Sequence, residues 1–286
     1  MCLKITGMKI IPILRLYFSR RWWWTTLLML FAVGVMIRLG IWQLDRLADR
    51  RAFNEHVRAM QAADPLDLNA VTDPAALTGM EYRAAFASGV YDFDHQIALR
   101  NQYWGDPDGA AQYGYHLLTP LILPDGRAVL VDRGWIPADY ADPATWSAFD
   151  EAPTASVTGI LRLPLAEGDM GGGVPDAPLA PGETRRVWNF LNLELLRPQL
   201  PYDLLPVYLQ QSPPEGELSL PYKALPVLDL SDGPHLGYAL QWFFYASLVF
   251  FGYPVYLRKQ ASGRSGDDPE NGGGTRITRM GRICAE

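Results

Sequence analysis

The chain has 286 residues, of which 49% are hydrophobic, and a formal net charge of −6. Its two cysteines, Cys2 and Cys284, sit at the extreme ends. The long middle therefore has no disulfide framework, no thioredoxin-like pair and no Cys-ligated metal site. Residues 43–234 hold 13 Lys and Arg against 27 Asp and Glu, a net −14 that argues against nucleic acid and other polyanions as partners.

A basic leader, 1–21, carries Lys4, Lys9, Arg15, Arg20 and Arg21 and no acidic residue. Residues 22–42 are then apolar for about 20 residues, the length a helix needs to cross ~30 Å of hydrocarbon. The stretch is longer than the core of a secretory signal, and Leu39–Arg46 is bulky and charged where a cleavage site needs small residues. Beyond Trp42 the apolar spacing stays helical through Leu44, Leu47, Ala48, Phe53, Val57 and Met60. Asp64-Pro65 should end it, since the residue before proline disfavours the α region. One rod of about 40 residues is the expectation.

From Tyr82 the pattern changes to short aromatic and β-branched runs. Strands are expected at 82–91, 96–101, 113–123, 127–136, 156–163, 186–190 and 206–210, with a short helix at 192–197. Pro124-Asp125-Gly126 is a hairpin-turn signal. The Gly/Pro-rich stretch 167–184 reads as loop. Residues 235–257 form a second apolar span, followed by Arg258 and Lys259 and a polar tail, 258–286, expected to be disordered. Basic flanks stay cytoplasmic. Both ends are therefore expected inside and residues 43–234 outside, with Trp22–Trp24, Trp42, Trp242, Tyr253 and Tyr256 at the interfaces. A bacterial inner membrane fits better than a mitochondrial one, because transit peptides normally exceed 21 residues. The expected fold class is a membrane protein of α+β type: two transmembrane helices flanking an extracytoplasmic antiparallel β-rich domain with a few helices.

Catalytic signatures are missing. There is no G-x-S-x-G elbow, H-E-x-x-H or phosphate-binding loop. The carboxylate pairs Asp92/Asp94 and Asp106/Asp108 fall near turns, where such residues cap backbone. His56, His95 and His116 are scattered. The start of the second span is richer. His235, Tyr238, Trp242 and Tyr245 share one helical face, beside Gln241, with Ser231 or Asp232 as a cap and Pro234 in the first turn. A nitrogen ligand and aromatic planes suit a flat amphipathic ring such as haem, whose iron commonly takes imidazole. Arg38, four residues before Trp42, should lie at similar depth, where its guanidinium could meet a carboxylate of such a ring. The same composition is also an ordinary interfacial belt or a helix–helix seam, and Arg38 is also placed to snorkel.

Six blocks of sequence, in order from Leu39 to the second span, resemble one family. They are Leu39-Gly40-Ile41-Trp42-Gln43-Leu44-Asp45-Arg46, Glu81-Tyr82-Arg83 with Gly89, Thr119-Pro120-Leu121, Val131-Asp132-Arg133-Gly134-Trp135-Ile136-Pro137, Val157-Thr158-Gly159-Ile160-Leu161-Arg162, and His235-Leu236-Gly237-Tyr238-Ala239-Leu240-Gln241-Trp242. Together they are similar to the Surfeit-locus-one family of cytochrome c oxidase assembly proteins. Asp132 stands where the family often has Asn, and the 167–184 stretch and the tail look peculiar to this chain. The resemblance implies a non-enzymatic assembly factor that holds or delivers haem a to the oxidase catalytic subunit. It also implies a possible link to haem a synthase, and His235 as the position for which haem contact is proposed. Tyr238, Trp242, Arg38 and Trp42 are added from the pattern alone. In Arg133-Gly134-Trp135 a structural role is expected: glycine for a tight backbone, tryptophan for the core. The competing reading is a membrane-anchored scaffold without cofactor.

Overall fold

The computed structural model describes residues 17–105, 111–164, 174, 176–180, 182–213, 216 and 219–263. The chain forms two compact units, Met1–Arg51 with Asp232–Glu286, and Ala52–Ser231. The basic leader before Tyr17, Asp106/Asp108, half of 167–184, the tail beyond Gly263 and both cysteines lie outside the described residues.

Two long helices bracket the sequence. Helix α1, Trp23–Ala62, runs 40 residues without a break, as its continuous helical spacing requires, and stops before Asp64-Pro65. The second long helix, His235–Gly263, contains Pro254, which removes one backbone bond and is tolerated in long apolar helices. Both helices are long and apolar enough to cross a membrane.

The unit Ala52–Ser231 is built on strands β1 Leu66–Asp67, β2 Ala84–Tyr91, β3 Ile97–Trp104, β4 Gln112–Ile122, β5 Ala128–Pro137, β6 Thr154–Arg162, β7 Val187–Trp188 and β8 Leu204–Gln211. A four-residue helix, α2 Leu193–Leu196, precedes β8; the His235–Gly263 helix is α3. Five strands close a ring: β2 pairs β4, β4 pairs β5, β5 pairs β8, β8 pairs β6, and β6 returns to β2. Numbered by their order in the chain, the ring reads 1-2-3-5-4-1 with its third and fifth strands parallel. This is the Greek-key barrel of the oligonucleotide/oligosaccharide-binding type. The expected antiparallel β-rich domain is therefore corrected in part: most pairings are antiparallel, but the sheet is mixed. β5–β8, β1–β2 and β3–β7 are parallel, and in each pair the partners are separated by more than a dozen residues, the crossover length that parallel pairing needs. Of the remaining strands, β1 precedes the ring and pairs with β2, and β3 and β7 are inserted. β3 lies between the ring's first and second strands, and β7 with α2 lies between its fourth and fifth.

Alternation explains the filling. Ala85, Ala87, Leu121, Val129, Val131, Val157, Leu161, Val207 and Leu209 line the barrel interior. The opposite faces of the same strands meet the inserted segments, so that Leu118, Leu130 and Leu204 pack with Ile97, Trp188 and Leu196 in a second cluster. β5 is thus buried on both faces, which is why Ala128–Ile136 reads as an almost unbroken apolar run. Its one long interruption is Arg133, fully buried. The guanidinium donates to Gln96 Oε1 (2.9 Å) and to the carbonyl of Phe149, and lies 5.2 Å from the Phe93 ring and 5.5 Å from the Tyr91 ring. Gln96 Oε1 also accepts from Thr119 Oγ1 at 2.6 Å.

Two local devices set the register. In the turn Pro124-Asp125-Gly126, Gly126 takes φ +86° and its N–H donates to Leu123 O at 3.0 Å, while the Asp125 carboxylate accepts from Arg127 N at 3.0 Å. Further along the hairpin the pairing shifts from Leu118↔Asp132 to Leu117↔Gly134, so Arg133 is the extra residue of a β-bulge. Gly134 there has φ +118°, and a Cβ on it would stand 2.6 Å from Tyr222 O. Trp135 is 1% exposed and stacks on Trp104 and Tyr222. The structural reading of Arg133-Gly134-Trp135 holds. Asp92 also behaves as a capping residue, accepting from His95 N at 3.2 Å and Tyr202 Oη at 3.0 Å.

Candidate functional site

Two constellations have the makings of a site, one in each unit. In the helical unit, the face of α1 that packs on α3 runs Thr26, Met29, Val33, Met36, Gly40, Gln43 and Leu47, in alternating steps of three and four. The facing residues of α3 include His235, Ala239, Phe243, Ala246, Tyr253 and Leu257. Small residues let the helices approach: a Cβ on Gly40 would stand 2.6 Å from the Phe243 ring. Polar groups close both ends of the seam. At one end Tyr253 Oη lies 2.8 Å from Thr25 Oγ1 and 2.9 Å from Thr26 Oγ1. At the other, Arg51 Nε donates to Asp232 Oδ2 at 2.8 Å, so this carboxylate, just before α3, serves an ion pair with α1.

Between those ends, His235 Nδ1 is 2.9 Å from Gln43 Oε1. An amide oxygen only accepts, so Nδ1 carries a proton, and the neutral form of the ring has its lone pair on Nε2. Metal-binding histidines are oriented by this kind of second contact. Gly233 (φ +67°) borders that nitrogen. A Cβ there would lie 3.5 Å from Nε2, so the glycine leaves that edge of the ring unshielded.

The five residues singled out from sequence divide. Trp242 follows His235 by seven residues and shares its face, half-buried, with its ring edge-on to Tyr245 at 6.5 Å. Tyr238 is 50% exposed on the flank of that face. Arg38 and Trp42 point elsewhere. Arg38 lies about 140° round the helix from Gln43 and Trp42 about 100°, and both are exposed, Trp42 with Arg46 6.0 Å above its ring. Depth along α1 was readable from residue count. The azimuth is encoded separately, in the three-four run from Thr26 to Leu47. Gln43, part of the quoted Trp-Gln block, is the α1 residue that reaches His235.

The second constellation, in the barrel unit, was missed. His116 on β4 and Asp132 on β5 are 16 positions apart, yet His116 Nδ1 sits 2.9 and 3.0 Å from the two Asp132 oxygens. The bulge at Arg133 produces this diagonal pairing, and Gly134 N–H also donates to Asp132 Oδ1 at 3.0 Å. Burial pushes the imidazole pKa down, but the charge and hydrogen bond of Asp132 outweigh it and hold His116 above its usual 6.5. Both residues line a cleft of about 540 Å³ on the outer wall of the barrel. Burial likewise raises the Tyr208 hydroxyl in that cleft to about 12. A turn-set hairpin places His116 and Asp132 on one face, and that was the signal available in the sequence. Among the described residues, no group of three or more His, Cys, Asp and Glu could hold a metal ion.

A five-stranded barrel enclosed in sequence between two paired apolar helices is the class that the fold defines. The model of the SURF1 family matches residues 30–247 of this chain, which takes in the barrel, most of α1 and the first half of α3. The chain belongs to the SURF1 family. It is similar to a SURF1-like protein of Monosiga brevicollis (26% identical over 240 residues, 81% of this chain and 87% of that protein). A SURF1-like protein of Rickettsia conorii is 25% identical over 237 residues, 79% of this chain and 88% of its own length. Against a SURF1-like protein of Caenorhabditis briggsae the identity is 24% over 156 residues, and the chain spans about half of that relative, 49%.

Proposed function

We propose that this protein is a membrane-anchored assembly factor for a haem–copper oxidase of the cytochrome c oxidase type, and that it holds haem a and hands it to the catalytic subunit. Family membership supports the assembly role. The observation that carries the haem reading is the His235–Gln43 contact, which leaves Nε2 as the metal-binding nitrogen with a glycine beside it. In this reading His235 holds the iron, Gln43 fixes the tautomer, and Trp242 and Tyr238 provide the apolar wall. Arg38 and Trp42 belong to the outward face of α1, where they meet lipid headgroups, the oxidase subunit or haem a synthase. The bound group supplies iron chemistry of its own, and the chain's part is to hold it and release it. One protein ligand and an open edge suit transient holding. The two apolar helices cross the bacterial inner membrane, with the barrel outside and the basic ends in the cytoplasm.

The test is the absorption spectrum of the purified full-length protein from cells that make haem a. Wild type should carry a haem band and His235→Ala should lose most of it. Equal pigment in both overturns the ligand assignment. The assembly role is tested separately: cells lacking the protein should lose most of their cytochrome c oxidase activity, and normal activity overturns that role and favours a scaffold without cofactor.

A further inference from the structure

The domain that carries net −14 contains a cleft of the opposite character. Of the residues lining the 540 Å³ cavity, Arg100, Arg162 and His116 are basic and Asp132 alone is acidic. Asp132 is already satisfied by His116 and by the Gly134 N–H. The basic groups retain free donors. Arg162 uses Nε on Glu81 (3.2 Å) and one terminal nitrogen on Gln210 (2.9 Å), and its other terminal nitrogen has no partner among the described residues. Arg100 is exposed and is held through Nε by Asn189 Oδ1. Asn189 is itself fixed by Asp176, which accepts from its backbone N–H at 2.8 Å and its side-chain Nδ2 at 3.2 Å. Both terminal nitrogens of Arg100 lack a partner among the described residues. So does His116 Nε2, which is a donor whenever the ring is protonated.

The location fits a binding role. His116, Asp132, Arg162, Tyr208 and Gln210 project from the outer wall of the barrel. Arg100 and Asn101 come from a bulge in β3, where Asn101 takes φ +64° and the pairing jumps from Leu99↔His116 to Gln102↔Gly114. Asn189 to Leu191 follow β7. The rim of the cleft is therefore built from the two insertions, between the ring's first and second strands and between its fourth and fifth. Barrels of this topology bind ligands against the second and third strands, between those same two connections. The volume is in the range of pockets that take small organic ligands. Leu99, Leu163, Phe190 and Leu191 add apolar surface beside the donors.

We infer that this cleft binds a carboxylate attached to an apolar group, with the carboxylate on Arg100 and His116 and the apolar part against Leu163, Phe190 and Leu191. A free organic acid and the C-terminus of a polypeptide share this chemistry. The site is independent of His235 and of the haem reading.

The test is calorimetric titration of the full chain in lipid nanodiscs with four probes: 3-phenylpropionate, its amide, the tripeptide acetyl-Gly-Phe-Leu as the free acid, and that peptide as its C-terminal amide. The acids should bind saturably, and each amide at least about tenfold more weakly, since the charge-assisted fork to arginine is lost. Arg100→Gln and His116→Gln should each lose about tenfold for the acids, and Arg127→Gln, outside the cleft, should lose nothing. Arg100 is exposed, so its variant reports on binding even if His116→Gln disturbs the fold. A tighter peptide acid identifies a polypeptide terminus as the ligand, and a tighter small acid identifies a free metabolite. No saturable binding of either acid up to ~10 mM overturns the inference. So does equal affinity for acid and amide, or wild-type affinity in Arg100→Gln.

Discussion

The helical unit and the barrel unit use glycine for the same purpose, close approach, yet they face different obstacles. At Gly40 the neighbour is the ring of Phe243, the end of a side chain with two torsions. At Gly134 the neighbour is the backbone of Tyr222, which pairs with Trp135 through bonds of 2.8 Å in each direction, and the φ of +118° excludes a side chain independently. Helices held by side-chain contacts can adjust by rotamer changes. A barrel whose every strand has two partners cannot adjust locally. The comparison teaches where each unit stores its specificity: in the seam spacing of α1 and α3, and in the bulge and register of β4 and β5.

The sharpest way to break this comparison is Gly134→Ala. The new Cβ meets a backbone carbonyl at 2.6 Å, so either the Trp135–Tyr222 bridge opens or the bulge unwinds. A loss of about 3 kcal/mol or more is expected, and it should carry the Trp104–Trp135–Tyr222 stack with it. Near-ultraviolet circular dichroism and thermal unfolding check this. An unchanged melting midpoint with native aromatic signal would show that the bulge is soft.

Much of each unit was legible in advance, for physical reasons that differ. The rod Trp23–Ala62 was readable because helical periodicity is local and persists through the switch from apolar to charged faces. The strands at 84–91, 112–122, 128–137 and 154–162 announced themselves by composition, and Pro124-Asp125-Gly126 by its turn chemistry. The parallel pairing of β5 with β8 was not readable. Those strands are separated by β6, β7 and α2, and nothing local to either one encodes its partner. The candidate sites follow the same division. His235 could be placed by depth, since residue count sets distance along a helix. The exposed positions of Arg38 and Trp42 depend on which face packs. For His116 and Asp132 the turn and strand parity reveal a shared face, but the contact geometry depends on the extra residue at Arg133, a feature of two strands together that neither displays alone.

A smaller effect tests that pair. His116 has a pKa raised above its unfolded value of about 6.5, so its bond to Asp132 stabilises the fold fully below that value and the contribution is lost as pH rises through the folded pKa. The groups around it are Asp132 on β5, Arg100 on β3, Arg162 on β6 and Tyr208 on β8. Asp132→Asn removes the influence that opposes burial. Burial alone lowers the pKa of His116, so in the variant the slope reverses, and stability falls on acidification through the same region. On the acid side the variant should be less stable by about 1.5–3 kcal/mol, the range for a hydrogen bond to a charged group. Unfolding midpoints measured from pH 5.5 to 8.5 report the slope, and parallel curves for the two proteins would show that the pair contributes nothing.

The smallest expected effect is Gly40→Ala, the counterpart of Gly134→Ala in the helical unit. Two contributions oppose each other. Alanine gains about 0.8–1 kcal/mol over glycine inside a helix. Against it, the Phe243 ring has to move by several tenths of an ångström, at about 1 kcal/mol if it leaves its preferred rotamer. The net change should be within about 1 kcal/mol of zero, visible as a shift of a few degrees at most in the melting of the detergent-solubilised protein. Gly40→Leu should not share this tolerance, because a branched side chain fills the space that Phe243 occupies and separates the helices near Gln43. The contact between His235 and Gln43 then lengthens, so any haem band should fall in the leucine variant and persist in the alanine one. A large loss of stability in Gly40→Ala would mean that the helical seam is as unyielding as the barrel, and the contrast between the two units would disappear.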